Sequence, residues 1–203
     1  MTRVIAGEAG GRRLAVPPGT TTRPTSDRAR EGLFASLLSQ LGSFEGKRVL
    51  DLYAGSGAIG LEALSRGAER VLLVESDARA AAVIRANIDT VGMTGATVAV
   101  DRVERLLSRP PAVVGGYDVV LADPPYALAE PAVTRVLTLL QSGWLTDGAL
   151  VVIERATRSG VLDWPPGYLP SKSRRYGEAT FWYGWHGSEA GSRQSGTASR
   201  SKA

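Results

Sequence analysis

Two stretches about seventy residues apart carry the residues that could do chemistry: Val49-Leu50-Asp51-Leu52-Tyr53-Ala54-Gly55-Ser56-Gly57 and Asp123-Pro124-Pro125-Tyr126. The first is an apolar strand running into a glycine turn that opens a helix. Glycine lets backbone approach a nucleotide-like cofactor closely. The second is a short acidic, proline-stiffened, aromatic loop behind another apolar run, suited to gripping a planar substrate that carries an amine. Together they point to methyl transfer from S-adenosylmethionine to the exocyclic amine of a base.

The run Gly55-Ser56-Gly57-Ala58-Ile59-Gly60 contains G-x-G-x-x-G, a spacing that means little without its strand-to-helix context. Here that context is present. Asp51 precedes the first glycine by four residues, which favours a cationic ligand over a pyrophosphate. The ammonium and sulfonium of S-adenosylmethionine supply such charge. Tyr53 lies in the same turn. Glu75 ends the next apolar run, where a carboxylate can accept both ribose hydroxyls. Asp101, after Thr97-Val98-Ala99-Val100, could accept from an adenine amine with Arg102 alongside, or could cap a helix. The lone pair of a base amine is delocalised into the ring. The Asp123 carboxylate and Pro124 carbonyl could turn it toward the methyl by accepting both N–H hydrogens, on a loop whose φ angles proline fixes. Tyr126 could stack on the base, a contact of roughly 1–3 kcal/mol.

These residues need a scaffold. Strand candidates at 48–53, 70–75, 96–100, 117–122 and 149–154 alternate with helical stretches near 57–66, 78–91, 102–108 and 129–141. That alternation predicts an α/β, Rossmann-like, mostly parallel sheet. Arg174–Tyr176 and Ala179–Trp185, joined by Gly177-Glu178, predict a C-terminal antiparallel hairpin that completes seven strands. Phe181, Trp182, Tyr183 and Trp185 are expected to pack that hairpin, and Trp144 and Trp164 the core. Leu33, Phe34, Leu37, Leu38 and Leu41 make 27–41 an amphipathic helix. Residues 1–25, rich in Gly and Pro, predict a basic hairpin or an arm that orders on binding; 26–186 form the methyltransferase domain. Residues 187–203 are too polar to build a core and are expected to be a disordered tail.

Composition narrows the classes. With 203 residues, 43% hydrophobic and 22% charged, the chain suits one domain with modest additions. No apolar run spans a bilayer and the first residues lack a signal-peptide pattern, so a cytoplasmic monomer without membrane partners is expected. There is no cysteine and one histidine, His186, which argues against a metal site and against a cytosine-C5 mechanism needing a thiolate. The net charge of +4 is uneven: residues 1–30 hold six arginines against Glu8 and Asp27, while 31–186 hold 15 basic and 17 acidic groups. Arg3, Arg12, Arg13, Arg23, Arg28 and Arg30 are therefore the candidate phosphate contacts of a polyanionic partner.

With both motifs placed, the chain resembles the bacterial 16S ribosomal RNA guanine-N2 methyltransferases, class I S-adenosylmethionine-dependent enzymes. The likeness covers residues 1 to about 186. It rests on the two motifs, Glu75, Arg3-Val4-Ile5-Ala6-Gly7, Gly11-Arg12-Arg13-Leu14 and Arg23-Pro24-Thr25-Ser26-Asp27-Arg28-Ala29-Arg30-Glu31. The resemblance implies a seven-stranded Rossmann-like domain with an N-terminal β-hairpin, and 16S rRNA in an assembling 30S particle as partner. It also implies that Asp51, Gly55 and Gly57 hold the methionine end, Glu75 the ribose and Asp101 the adenine, while Asp123, Pro124 and Tyr126 position the target. An adenine-N6 methyltransferase on DNA or RNA is the nearest rival. An NAD(P)-dependent oxidoreductase and a non-catalytic assembly factor are more distant ones.

Overall fold

A computed structural model of the chain describes residues 2–18 and 27–187. The expectations for Arg23 and for the tail beyond Gly187 lie outside the described residues.

Five parallel strands and a terminal hairpin build the sheet. They are β3 (Arg48–Leu52), β4 (Arg70–Glu75), β5 (Ala96–Val100), β6 (Tyr117–Ala122), β7 (Leu145–Ala156), β8 (Tyr168–Tyr176) and β9 (Ala179–His186). Their order is β5-β4-β3-β6-β7-β9-β8, with β9 antiparallel to both its neighbours. β3 therefore has β4 on one side and β6 on the other, and strand order reverses there. Ligands of open α/β sheets bind at that switch point, beyond the carboxyl ends of the strands. Asp51 and Asp123 stand on its two sides.

Both faces of the sheet are covered. Helices α4 (Val103–Leu107) and α5 (Glu130–Leu140) pack Leu107, Val133, Val136 and Leu137 against Leu50, Leu52, Val120 and Val151. Helices α1 (Asp27–Leu41), α2 (Ala58–Ser65) and α3 (Ala78–Val91) cover Val49, Leu73, Leu121 and Val152 on the opposite face. Since side chains alternate across a strand, Glu75, Asp51, Asp123 and Glu154 share this second face. They form a row of carboxylates at the ends of β4, β3, β6 and β7.

The N-terminal segment is a hairpin bolted to the domain, not a free arm. Its strands β1 (Thr2–Arg3) and β2 (Arg13–Leu14) pair antiparallel. Val4, Ala9 and Leu14 pack on Ala58 and Leu61 of α2 and Val91 of α3. Glu62, 0% exposed, accepts from the amides of Ile5 (2.6 Å) and Ala6 (3.0 Å) and pairs with Arg66 (2.7 Å). Ser65 Oγ donates to Ala6 O at 2.6 Å and accepts from Ala9 N at 2.9 Å. Asn87 bridges Ala15 to the glycine turn: Oδ1 accepts from Ala15 N (2.8 Å), and Nδ2 donates to Ala15 O (3.0 Å) and Ser56 O (2.8 Å).

Among the aromatic residues, Phe181 and Tyr183 are buried, with Trp182 and Trp185 partly so. Trp144 is buried against Tyr117 and donates to the carbonyls of Leu107 (3.2 Å) and Arg109 (3.0 Å). Among the described residues, no helix is long and apolar enough to cross a membrane, and no cluster of His, Cys, Asp and Glu could hold a metal ion.

Candidate active site

A cleft of about 380 Å³ opens at the switch point, a size suited to a small-molecule ligand. Asp51, Tyr53, Gly55, Glu75, Asp123, Pro124 and Tyr126 all line it, so the two sequence motifs meet in one cavity. Val16 and Pro17 of the hairpin segment close one side, and Ser76, Asp77 and Arg79 continue the wall beyond Glu75.

The glycine turn has a division of labour. Leu52 ends β3, and Tyr53 takes a left-handed φ of 61°, so the strand stops one residue earlier than its apolar pattern suggests. Tyr53 is the one non-glycine residue with positive φ among the described residues, a conformation that costs energy and often marks a functional turn. Gly55 (φ 56°) faces open space, where a side chain would intrude on the cleft. Gly57 (φ 77°) instead caps α2, and a Cβ there would meet Leu73 at 3.0 Å and Ile84 at 3.2 Å. Gly57 therefore turns the chain and permits helix–sheet packing. Gly57 itself is not among the residues lining the cleft, although its neighbours Ser56 and Ala58 are.

Glu75 is held ready. Its Oε2 accepts from Gly55 N (2.9 Å) and its Oε1 from Asp77 N (2.8 Å) and Ser76 Oγ (3.5 Å), which leaves Oε2 a further lone pair. Asp51 is 3% exposed, and its Oδ2 accepts from Gly60 N at 2.8 Å. Burial pushes its carboxyl up to about 7; the Gly60 amide opposes this and the neighbouring Glu75 charge adds to it. A buried acid poised this way gains most from a cation. These residues fit S-adenosylmethionine: one bare glycine face, a carboxylate placed for an ammonium and another for a ribose diol.

On the far side, Asp123 N donates to Leu52 O at 3.3 Å, tying the loop to the end of β3. Leu128 N closes the loop onto Pro125 O at 2.8 Å. Pro124 is buried, whereas Tyr126 is 44% exposed and free to take a base. Burial, then the charges of Glu154 and Asp51, hold the Asp123 carboxyl well above the ordinary carboxylate range.

Other expected residues lie elsewhere. Asp101 N donates to Glu75 O at 3.1 Å, but the Asp101 carboxylate is taken by Arg105, by Arg109 (3.2 Å) and by the Arg102 amide (2.7 Å). Neither Asp101 nor Arg102 is among the residues lining the cleft. Arg30 is not the surface cation expected: it borders the cleft but is 1% exposed, with its guanidinium held inside the protein. It bonds Thr2 Oγ1 (3.0 Å), the Arg3 carbonyl and Asp27 (3.0 Å), locking the hairpin to α1. Arg12 is exposed but donates to the α3 carbonyls of Thr90 (3.1 Å) and Val91. Arg3 pairs with Asp27 at 3.5 Å, while Arg13 and Arg28 are exposed without an ion pair among the described residues.

Three functional side chains escaped sequence reasoning. Glu62 and Asn87 brace the cofactor turn and hairpin as described. Arg155, buried on β7, donates to Leu128 O (3.0 Å) and Glu130 (3.3 Å) and so pins the far end of the Asp123–Tyr126 loop. The available signal was a charged or amide residue inside an otherwise apolar pattern.

A seven-stranded sheet with a reversed final hairpin, a glycine turn backed by two acids and an Asp-Pro-Pro-Tyr loop across the switch point together define a class I S-adenosylmethionine-dependent methyltransferase. Comparison with known proteins narrows the class. The chain belongs to the family described as Conserved hypothetical protein 95, whose pattern matches residues 2–185. It is similar to ribosomal RNA small subunit methyltransferase D of Escherichia coli strain K12, 32% identical over 180 residues (88% of this chain, 87% of that one). The protein of the same name from Haemophilus influenzae is 36% identical over 155 residues (75% and 77%). The solved structure of hypothetical protein TTHA0928 from Thermus thermophilus superposes with a TM-score of 0.74 at 32% identity, covering 90% of this chain and 98% of that one.

Proposed function

We infer that the protein methylates the exocyclic N2 amine of a guanine in 16S rRNA, within an assembling 30S particle, using S-adenosylmethionine. One observation carries the reaction class: the cofactor-side carboxylates and the Asp123–Tyr126 loop line a single cleft. The similarity to small-subunit rRNA methyltransferases supports the substrate.

Bound S-adenosylmethionine supplies an electrophilic methyl group on a sulfonium. Asp51 takes the ammonium of the methionine end and Glu75 the ribose hydroxyls, with Gly55 and Tyr53 shaping the floor. The Asp123 carboxylate and the Pro124 carbonyl accept the two amine hydrogens and free the nitrogen lone pair, while Tyr126 holds the base from its exposed side. After transfer the nitrogen carries an extra proton, and Asp123 is the nearest group able to accept it. Asp123 is pushed toward its neutral form by burial first and then by the charges of Glu154 and Asp51. Only its ionised form can also take up that proton, and a positive charge held beside this acidic row would favour the ionised form. Arg3, Arg13 and Arg28, and Arg12 more weakly because of its helix-capping role, supply phosphate contacts beside the cleft. The enzyme acts as a cytoplasmic monomer.

Transfer of radiolabelled methyl to 30S particles, naked 16S rRNA and duplex DNA in parallel tests this function. Label in 30S particles is the expected outcome. Label confined to DNA would replace the substrate while keeping the fold.

A further inference from the structure

The hairpin supplies fewer free cations than the sequence promises, since Arg30 is buried, Arg12 caps α3 and Arg3 pairs with Asp27. Other positive charge stands at the active edge. β8 runs parallel to β7, because each is antiparallel to β9. The carboxyl ends of β7 and β8 thus lie on the edge that carries Asp51 and Asp123. There Thr157 N donates to Glu178 O (2.7 Å), Thr157 Oγ1 lies 2.9 Å from Thr180 Oγ1, and Arg175 Nε donates to Gly177 O (3.0 Å). These bonds fix the segment after β7 to the β8–β9 turn.

Arg158, Arg174 and Arg175 are exposed on this unit, and none makes an ion pair among the described residues. Arg158 lies close enough to Tyr126 for its charge to reach the phenol, as does Glu178 in the β8–β9 turn. Helix α1 brings Arg28 to the same edge. Gly32 abuts the Tyr176 ring, while Gln40, two turns on, accepts from Ser171 Oγ (3.4 Å) further down β8. The first turn of α1 therefore overlies the end of β8.

Resting on the rRNA methyl transfer proposed above, we propose that Arg158, Arg174 and Arg175, the last two on opposite faces at the end of β8, form a second RNA-docking surface around the β8–β9 turn. With Arg28 it grips the phosphates flanking the target base at the β7–β8 end of the active edge. Charge complementarity and the adjacency of Tyr126 select single-stranded or splayed rRNA as the occupant. Lysine and arginine on an edge strand such as β8 can also serve only to block sheet-to-sheet association. Arg158, which lies after β7 and off that edge, separates the two roles.

The test is a salt titration of binding to 16S rRNA by the full chain, with Arg158→Gln/Arg174→Gln/Arg175→Gln compared with wild type. Removing one arginine–phosphate pair lowers the magnitude of the log–log salt slope by roughly 0.7–0.9. The triple variant should lose about two units of slope and at least about tenfold in affinity near 0.1 M salt. Its affinity for S-adenosylmethionine should stay unchanged. Arg70→Gln, at the opposite edge, should bind RNA like wild type. Should the triple variant associate or unfold, Arg158→Gln alone should still lower the slope by nearly one unit. Unchanged affinity and slope in either variant would overturn the proposed surface. Absence of methyl transfer by wild type would instead strike the function on which it rests.

Discussion

Asp51 offers the most quantitative test of the cofactor site. Its carboxyl is pushed up to about 7 in the free enzyme, by burial first and Glu75 second, against the Gly60 amide. Only the ionised form pairs with a ligand ammonium, so the apparent dissociation constant scales as one plus the ratio of protonated to ionised Asp51. With a value of about 7, that factor is about 1.3 at pH 7.5 and about 11 at pH 6. Affinity for S-adenosylmethionine should therefore fall about eightfold over that interval, equivalent to ~1.3 kcal/mol. Loss of the ligand's own α-amino proton, half complete near pH 7.7, works the other way at pH 7.5 and trims the observed fall to about five- to sixfold. Calorimetry in buffers of different ionisation enthalpy should show about 0.9 proton released per binding event at pH 6 and about half a proton at pH 7. Asp51→Asn keeps an acceptor for Gly60 N, and its affinity should be weaker at pH 7.5 and flat with pH. Because Asp123 lies nearby and is also raised, the variant identifies which acid gives up the proton. The sign for stability is opposite to that for binding. A carboxyl raised in the folded state stabilises the fold at low pH, and this is lost as pH rises toward 7. Asp51→Asn should thus be more stable than wild type by as much as a few kcal/mol at pH 8, by roughly 1–2 kcal/mol at pH 5, and about equally stable only below roughly pH 4, where Asp51 is protonated in both states. A pH-independent wild-type affinity, with no proton release, would refute the reasoning.

Three further outcomes are expected. Asp123→Ala should lower the rate of methyl transfer by about a hundredfold or more while leaving cofactor affinity within a fewfold, read by single-turnover transfer and calorimetry. Glu62→Ala strands the Ile5 and Ala6 amides and should destabilise the folded chain by roughly 2–5 kcal/mol in urea melts, with the N-terminal hairpin losing protection from hydrogen exchange. Tyr126→Ala should lower kcat/KM for rRNA by about 1–3 kcal/mol, and Tyr126→Phe should recover most of it, since stacking needs the ring and not the hydroxyl.

The catalytic parts were legible because their chemistry depends on local pattern. A glycine turn after an apolar strand, an acid ending the next strand and an Asp-Pro-Pro-Tyr loop each announce themselves within a few residues. The alternation of strands and helices then fixes which ends they occupy. Where tertiary pairing decides, the pattern said less. β7 begins at Leu145, earlier than 149, because Tyr117 pairs with Leu145 across a register shift that the turn-like Thr146-Asp147-Gly148 conceals. β8 begins at Tyr168, hidden by Pro170 and by polar residues that an edge strand tolerates. Arg30 was readable in hindsight, since positions 30, 33, 34 and 37 share one helical stripe and the last three are core. Net charge counted it as surface; periodicity did not. The commitments of Asp101 to Arg105 and Arg109 depend on rotamers and on helix placement, which no local pattern encodes.

The most direct measurement is the identity of the methylated nucleoside. 30S particles from cells lacking the enzyme would be treated with it and S-adenosylmethionine, digested, and analysed by mass spectrometry beside the Asp123→Ala variant. The expected product is N2-methylguanosine from wild type and almost none from the variant. Methyl on adenosine or cytidine would contradict guanine as the target, and equal yield from Asp123→Ala would contradict an amine activated by that carboxylate.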